Sequence, residues 1–162
     1  MKVVSNTDPI IGLAKIGRIF LLKSMAKEVL IPPMVHRELF GKIGSETEQI
    51  DRALNDFMHI GNPTPLEPAI QRAIADLDEG EKQAVGLAST IQRDVLLLLD
   101  DRAGRQAAEE LDIPTTGLIG FLLLAKEKGL VEKIGPLVEE LRNKGYWLSD
   151  EVMDVARRLA RE

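Results

Sequence analysis

The chain reads as an α/β protein, a three-layer α/β/α sandwich around a small parallel sheet of about 4–5 strands. Two observations predict this. Val95-Leu-Leu-Leu-Leu99 is an aliphatic run without helical periodicity and bounded by polar residues. That is the pattern of a strand buried on both faces, as strands of parallel sheets are. Short strand-like segments also alternate with helical ones along the whole chain, as a helix–sheet–helix sandwich requires. A third feature points to function: the run ends in Asp100-Asp101. Ligands of parallel sheets bind in the crevice beyond the carboxyl ends of the strands, so two adjacent acids there suggest a cation site.

Lys2–Ser5 is the first expected strand. Asp8 as N-cap and Pro9 at the first helical position then open a helix through Ile10, Leu13 and Ala14 that Gly17 ends. A second helical piece covers about Ile19–Met25, and Glu28–Ile31 is a second strand stopped by Pro32-Pro33. Pro33 opens a helix to about Phe40, and residues 41–44 form a loop. Ser45-Glu-Thr-Glu48 has the form of a capping box before a helix carrying Ile50, Ala53, Leu54 and Phe57. Gly61–Pro68 is rich in turn formers, and Ala69–Leu77 is helical. Asp78-Glu-Gly-Glu81 starts a helix to about Gln92, followed by the Val95–Leu99 strand, a helix over Arg102–Leu111 and a short strand at Ile113–Thr116. Leu118–Lys128 is a nearly all-apolar, hence buried, helix closed by Gly129. Pro136–Asn143 and Asp150–Arg161 are amphipathic helices separated by Gly145-Tyr-Trp-Leu148.

Composition narrows the class. The length of 162 residues suits a single domain over residues 1–162, and 44% hydrophobic residues suffice for one sizeable core. The absence of cysteine excludes disulfides, thiolate zinc sites and a cysteine nucleophile, and fits a reducing cytoplasm. The N-terminus begins directly with a strand-like segment, so no signal peptide is expected. The longest apolar stretch, Leu118–Ala125 interrupted by Gly120, is far short of the ~20 residues that cross a bilayer, so no membrane attachment is expected. A net charge of −5 argues against a protein whose main work is gripping nucleic-acid backbone. It leaves room for an enzyme that meets phosphates through a bound metal, since the metal brings positive charge.

Acids and amides recur where such a metal would sit. Asp101 follows the buried strand; its plain role is the N-cap of the next helix, yet a cap needs one acid and there are two. Glu81 lies three residues before Ala84 and four before Val85, on the stripe that faces the sheet. A carboxylate there is tolerated when it is paired or holds a cation, although it also fits the last place of a capping box begun by Asp78. Glu38 sits at the margin of the face carrying Met34, Val35 and Leu39, and alone would be an ordinary solvated residue. Asn6 and Asp8 flank Thr7 after the first strand. In a doubly wound sheet these positions meet at one end of the central strands. Carboxylates clustered there raise each other's pKa unless divalent cations neutralise them, and hard oxygen donors suit Mg²⁺ or Mn²⁺.

The arrangement resembles the PIN-domain family, small metal-dependent ribonucleases that include the VapC-type toxins. The resemblance rests on Val3-Val-Ser-Asn-Thr-Asp8, Ile31-Pro-Pro-Met-Val-His-Arg-Glu38, Gly80-Glu-Lys-Gln-Ala84 and Leu97-Leu-Leu-Asp-Asp-Arg-Ala-Gly-Arg-Gln-Ala-Ala108. The Gly80-Glu81 pattern, the Asp100-Asp101 pair and the closing Gly145-Tyr-Trp-Leu-Ser149 look like a little-characterised prokaryotic branch of the family. It spans almost the whole chain, with order and spacing carrying more weight than any one motif. The family's four acids then fall on Asn6, Glu38, Glu81 and Asp101, and its small hydroxyl residue on Thr7. The resemblance implies that Glu38, Glu81 and Asp101 are catalytic. It also implies one or two Mg²⁺ or Mn²⁺ ions orienting a water for attack on a phosphodiester, about 3.5–4 Å apart if two are bound. The pattern departs at Asn6, where the family has Asp. Either Asp8 or Asp100 restores the missing charge as a metal ligand, or the site binds metal poorly.

Thr7, Lys82, Arg93, Arg102 and Arg105 flank the expected cluster and are candidates to contact RNA, with a solvated helix face as the plain alternative. Gly12-Leu-Ala-Lys-Ile-Gly17-Arg18 lacks the ending of a P-loop, Gly117-Leu-Ile-Gly120 fits close helix packing, and His36 and His59 read as surface or loop residues. The reading is a metal-dependent ribonuclease acting on single-stranded RNA, a toxin restrained by a small antitoxin protein and paired as a homodimer, with Gly145–Leu148 as a candidate interface. The alternative is a catalytically weak PIN-like module that binds RNA or protein. Asn6 favours the alternative, while Glu38, Glu81 and Asp101 favour the enzyme.

Overall fold

The computed structural model describes residues 1–41, 44, 46–91 and 93–162. Lys42 and Ile43 of the expected loop, Ser45 of the expected capping box and Gln92 at the expected end of a helix lie outside the described residues. The elements run β1 (Lys2–Ser5), α1 (Thr7–Lys15), α2 (Phe20–Met25), β2 (Glu28–Ile31), α3 (Pro33–Phe40), α4 (Glu46–Leu54), β3 (Met58–Ile60), α5 (Pro68–Ala73), α6 (Glu79–Thr90), β4 (Val95–Leu98), α7 (Arg102–Glu110), β5 (Thr115–Thr116), α8 (Leu118–Glu127), α9 (Gly135–Asn143) and α10 (Asp150–Ala160). The five strands form one sheet in the order β3-β2-β1-β4-β5, and every neighbouring pair is parallel. β1 and β4 lie side by side at its centre, with Ser5 opposite Leu98.

Strand alternation sorts the helices into two layers. Val3, Val29, Ile31, Leu96 and Leu98 point to one face and pack with α1–α4 and α8–α10. Val4, Leu97 and Leu99 point to the other and pack with Ala84, Val85, Leu87 and Ala88 of α6 and Ala108 of α7. Val3, Val4, Leu97, Leu98 and Leu99 are 0% exposed, which is why an uninterrupted aliphatic run suits β4. Each leucine removed from water there contributes about 1.5–3 kcal/mol.

The architecture is the α/β sandwich expected, with local differences. Helix α1 starts at Thr7, so Asn6 and not Asp8 stands at its N-cap, and Pro9 is the third helical residue. Proline is tolerated there because first-turn N–H groups have no helical partner. Strand β3 was not foreseen: three residues at the edge of the sheet carry too little alternation to be read, and they place His59 on a strand. Helix α5 ends at Ala73, short of the expected Leu77, and β5 contracts to Thr115–Thr116. In the aromatic segment, Tyr146 packs against the core while Trp147 is 84% exposed. Among the described residues no helix is long and apolar enough to cross a membrane.

Candidate metal centre

Parallel strands place all their carboxyl ends at one edge of the sheet, and the chain loads that edge with acids. β1 runs into Asn6, whose backbone N–H donates to the Leu98 carbonyl of β4 at 3.0 Å. β4 runs into Asp100 and Asp101. Helix α3, which follows β2, brings Glu38 in its last turn, and the N-terminus of α6 brings Asp78–Glu81. Helices α3 and α6 are tied together where the Met34 backbone N–H donates to Gln83 Oε1 at 2.9 Å. Arg93 precedes β4, and so stands at the opposite end of that strand from Asp101; it does not flank the acids as expected.

Gly80 is the centre of the arrangement. A Cβ on this residue would lie 3.1 Å from Glu38 Oε1, 3.5 Å from Asn6 Oδ1 and 3.7 Å from Asp78 Oδ1. Three oxygens from β1, α3 and the start of α6 therefore face a space kept open by the missing side chain. Glu38 is not free to swing away, because buried Thr7 donates from Oγ1 to Glu38 Oε2 at 2.7 Å. Asn6 occupies an N-cap position without using its side chain as a cap, which leaves its amide oxygen for the space at Gly80. Asp78 does cap, accepting the Glu81 backbone N–H on Oδ1 at 2.9 Å.

Glu81 and Asp101 complete this flank. The Glu81 carboxyl is pushed up to about 7, first by burial and then by the negative charges of Asp78 and Asp101, with a side-chain hydrogen bond to Asp78 adding to the rise. Asp101 caps α7, accepting the Gly104 N–H on Oδ2 at 2.8 Å. Among the described residues none of Glu38, Asp78, Glu81 or Asp101 forms an ion pair with lysine or arginine. The charges that act on Glu81 are those of Asp78 and Asp101.

Asp100 and Asp8 belong to a second flank. Asp100 Oδ1 accepts the Leu118 N–H at the start of α8 at 2.7 Å, while its Oδ2 is buried with no hydrogen-bond partner. Burial pushes the Asp100 carboxyl up, the Leu118 N–H and Arg105 oppose the rise, and Asp8 adds to it. Arg105 Nη1 stands 2.8 Å from where a Cβ of Gly117 would be, so this glycine makes room for the guanidinium. Neither Asp8 nor Asp100 is among the three atoms nearest the Gly80 space. Arg102 is exposed at the start of α7, and Lys82 is half-buried on α6.

Among the described residues no group of three or more His, Asp or Glu side chains stands close enough to hold a metal ion unaided. The Gly80 space is instead lined by two carboxylates and one amide, with Glu81 and Asp101 beside them. In kind these donors fit a hard divalent cation: all are oxygens, none is nitrogen or sulfur, and their charge is uncompensated. Two members escaped sequence reasoning. Asp78 was read as a cap only, and Gly80 only as part of a pattern. The available signal was a glycine in the first turn of a helix, where capping requires none.

A five-stranded parallel sheet with helices on both faces and acids beyond its central strands makes a three-layer α/β sandwich. The family model described as DUF3368, a PIN domain, matches residues 2–162, and the chain belongs to that family. No curated protein matches the chain, and no solved structure does.

Proposed function

We propose that the chain is a metal-dependent endoribonuclease that hydrolyses phosphodiester bonds of single-stranded RNA. The observation that carries this reading is the set of uncompensated oxygens around Gly80, at the sheet edge where parallel folds bind ligands. Glu38, Glu81 and Asp101, with the amide of Asn6, would hold one or two Mg²⁺ or Mn²⁺ ions. When bound, such an ion supplies positive charge to polarise the scissile phosphate. The chain's own residues orient the site. Thr7 fixes Glu38 through its hydroxyl. The capping bond of Asp101 fixes that carboxylate at the end of β4. Lys82 on α6 and Arg102 and Arg105 on α7 belong to the helices that carry the acids and would meet the phosphate backbone. Asp8 and Asp100, counted with the ligands from sequence, would shape the flank next to α8.

The test is RNA cleavage with Mn²⁺ or Mg²⁺, with and without chelator, by the natural chain, Glu81→Gln and Asn6→Asp. Metal-dependent cleavage that Glu81→Gln abolishes is expected. An inert natural chain that Asn6→Asp makes active would overturn the reading and leave a PIN-like module that binds RNA or protein without efficient cleavage. The toxin role, a restraining antitoxin and a cytoplasmic setting rest on the resemblance to VapC-type toxins; growth arrest on expression, relieved by a small partner protein, is the expected result. Exposure of Trp147 supports a homodimer through Gly145–Leu148, with Trp147→Ser expected to shift the chain to monomer in light scattering.

A further inference from the structure

The family's first acid is replaced by Asn6, which leaves the centre one negative charge short. Sequence offers Asp8 and Asp100 as substitutes. Asp100, however, turns its Oδ1 to the Leu118 N–H and lies beside Arg105 and Asp8, and neither acid is among the three atoms nearest the Gly80 space. A different acid is better situated. Asp78 Oδ1 is one of the three atoms nearest the Gly80 space, together with Glu38 Oε1 and Asn6 Oδ1.

We propose that Asp78 supplies the charge missing at Asn6, acting as a further oxygen donor to the divalent cation held around Gly80. The proposal rests on the metal-dependent reading above. Capping alone does not explain an acid here. A cap needs one acceptor atom, and Ser149 caps α10 with a neutral hydroxyl, accepting the Val152 N–H at 3.1 Å. Asp78 brings a second oxygen and a charge to a place where, among the described residues, Glu38, Glu81 and Asp101 have no ion-pair partner. Gly80 adds a separate argument: a side chain at that residue would fill the space onto which the Asp78, Glu38 and Asn6 oxygens open.

The experiment transplants the charge. Mn²⁺ binding is measured by electron paramagnetic resonance or calorimetry for the natural chain, Asp78→Ser, the double variant Asn6→Asp with Asp78→Ser, and Asp76→Asn as an exposed control for loss of charge. Asp78→Ser keeps a capping hydroxyl, so its melting temperature in chelator should match or exceed that of the natural chain. Its Mn²⁺ affinity should fall by at least about tenfold. The double variant should recover most of that loss, and Asp76→Asn should bind as the natural chain does. Unchanged affinity in Asp78→Ser would leave the metal-dependent reading standing and reduce Asp78 to a cap. A double variant that fails to recover would also overturn the charge assignment. Absence of Mn²⁺ binding by the natural chain would overturn both the assignment and the metal-dependent reading.

Discussion

Glu81 and Glu162 are the same side chain in opposite surroundings. The side chain of Glu162, the last residue, is 11% exposed and surrounded by donors. Lys126 Nζ and the Ile134 N–H donate to its Oε2 at 2.8 Å each, and the Gly135 N–H at the start of α9 donates to Oε1 at 2.9 Å. Burial alone would push its carboxyl up, but these hydrogen bonds outweigh it and hold the group at about 2. Glu81 is also partly withdrawn from water, but its charged neighbours are Asp78 and Asp101, and its carboxyl rises to about 7. Where a carboxylate holds the fold together, the fold supplies its donors. At the ends of β1 and β4 it supplies more acids, which suits the cation site proposed above. That contrast separates a clasp from a site.

The sharpest way to break the contrast is Glu81→Gln, which should lower RNA cleavage by about 10²-fold or more while leaving the fold intact, as checked by single-turnover assays beside circular dichroism. Gly80→Ala should come next. Its methyl group would press on Glu38 Oε1, which Thr7 holds in place, and so Mn²⁺ affinity should fall by about tenfold. The φ of Gly80 is not in the left-handed region, and alanine is favoured over glycine in helices by up to about 1 kcal/mol. The melting temperature should therefore hold or rise, and a variant that unfolds would show Gly80 to be structural.

On the other side, Glu162→Gln loses the charge and, because both carboxylate oxygens accept, sets its amide NH2 against one of these donors. It should cost about 2 kcal/mol in urea denaturation with cleavage unchanged.

The contrast can also be read in pH. Glu162 sits at about 2 against an ordinary 4.5, so its stabilisation is complete above about pH 4.5 and is lost as the pH falls towards 2. Glu81 sits at about 7 against 4.5. Between those values the folded chain binds the extra proton, so stability falls as pH rises through that window. In chelator the melting temperature should decline from pH 5 to pH 7.5, and Glu81→Gln should flatten the slope. Saturating Mn²⁺ should flatten it too, because a bound cation removes the reason for the proton.

Much of the fold was legible because its signals are local. The aliphatic run of β4, the proline that opens α3, the caps at Asp78 and Asp101 and the glycine after α8 each act within a few residues. What escaped was either marginal or relational. β3 is too short to carry a period, and the start of α1 turned on two neighbouring residues, Asn6 and Asp8, that are both good caps. Within the site, Glu38, Glu81 and Asp101 were legible as acids near strand ends. Which oxygens share a space was not.

The residues of the chain, read alone, determined an α/β sandwich with acids at the carboxyl edge of its sheet, because burial and capping follow from spacing along the backbone. Only the tertiary structure decided that Asn6, Glu38 and Asp78 meet at Gly80 while Asp8 and Asp100 turn to α8. These side chains come from segments far apart in sequence. The order of the strands and the tie between α3 and α6 set their convergence, and neither can be read from spacing along the chain.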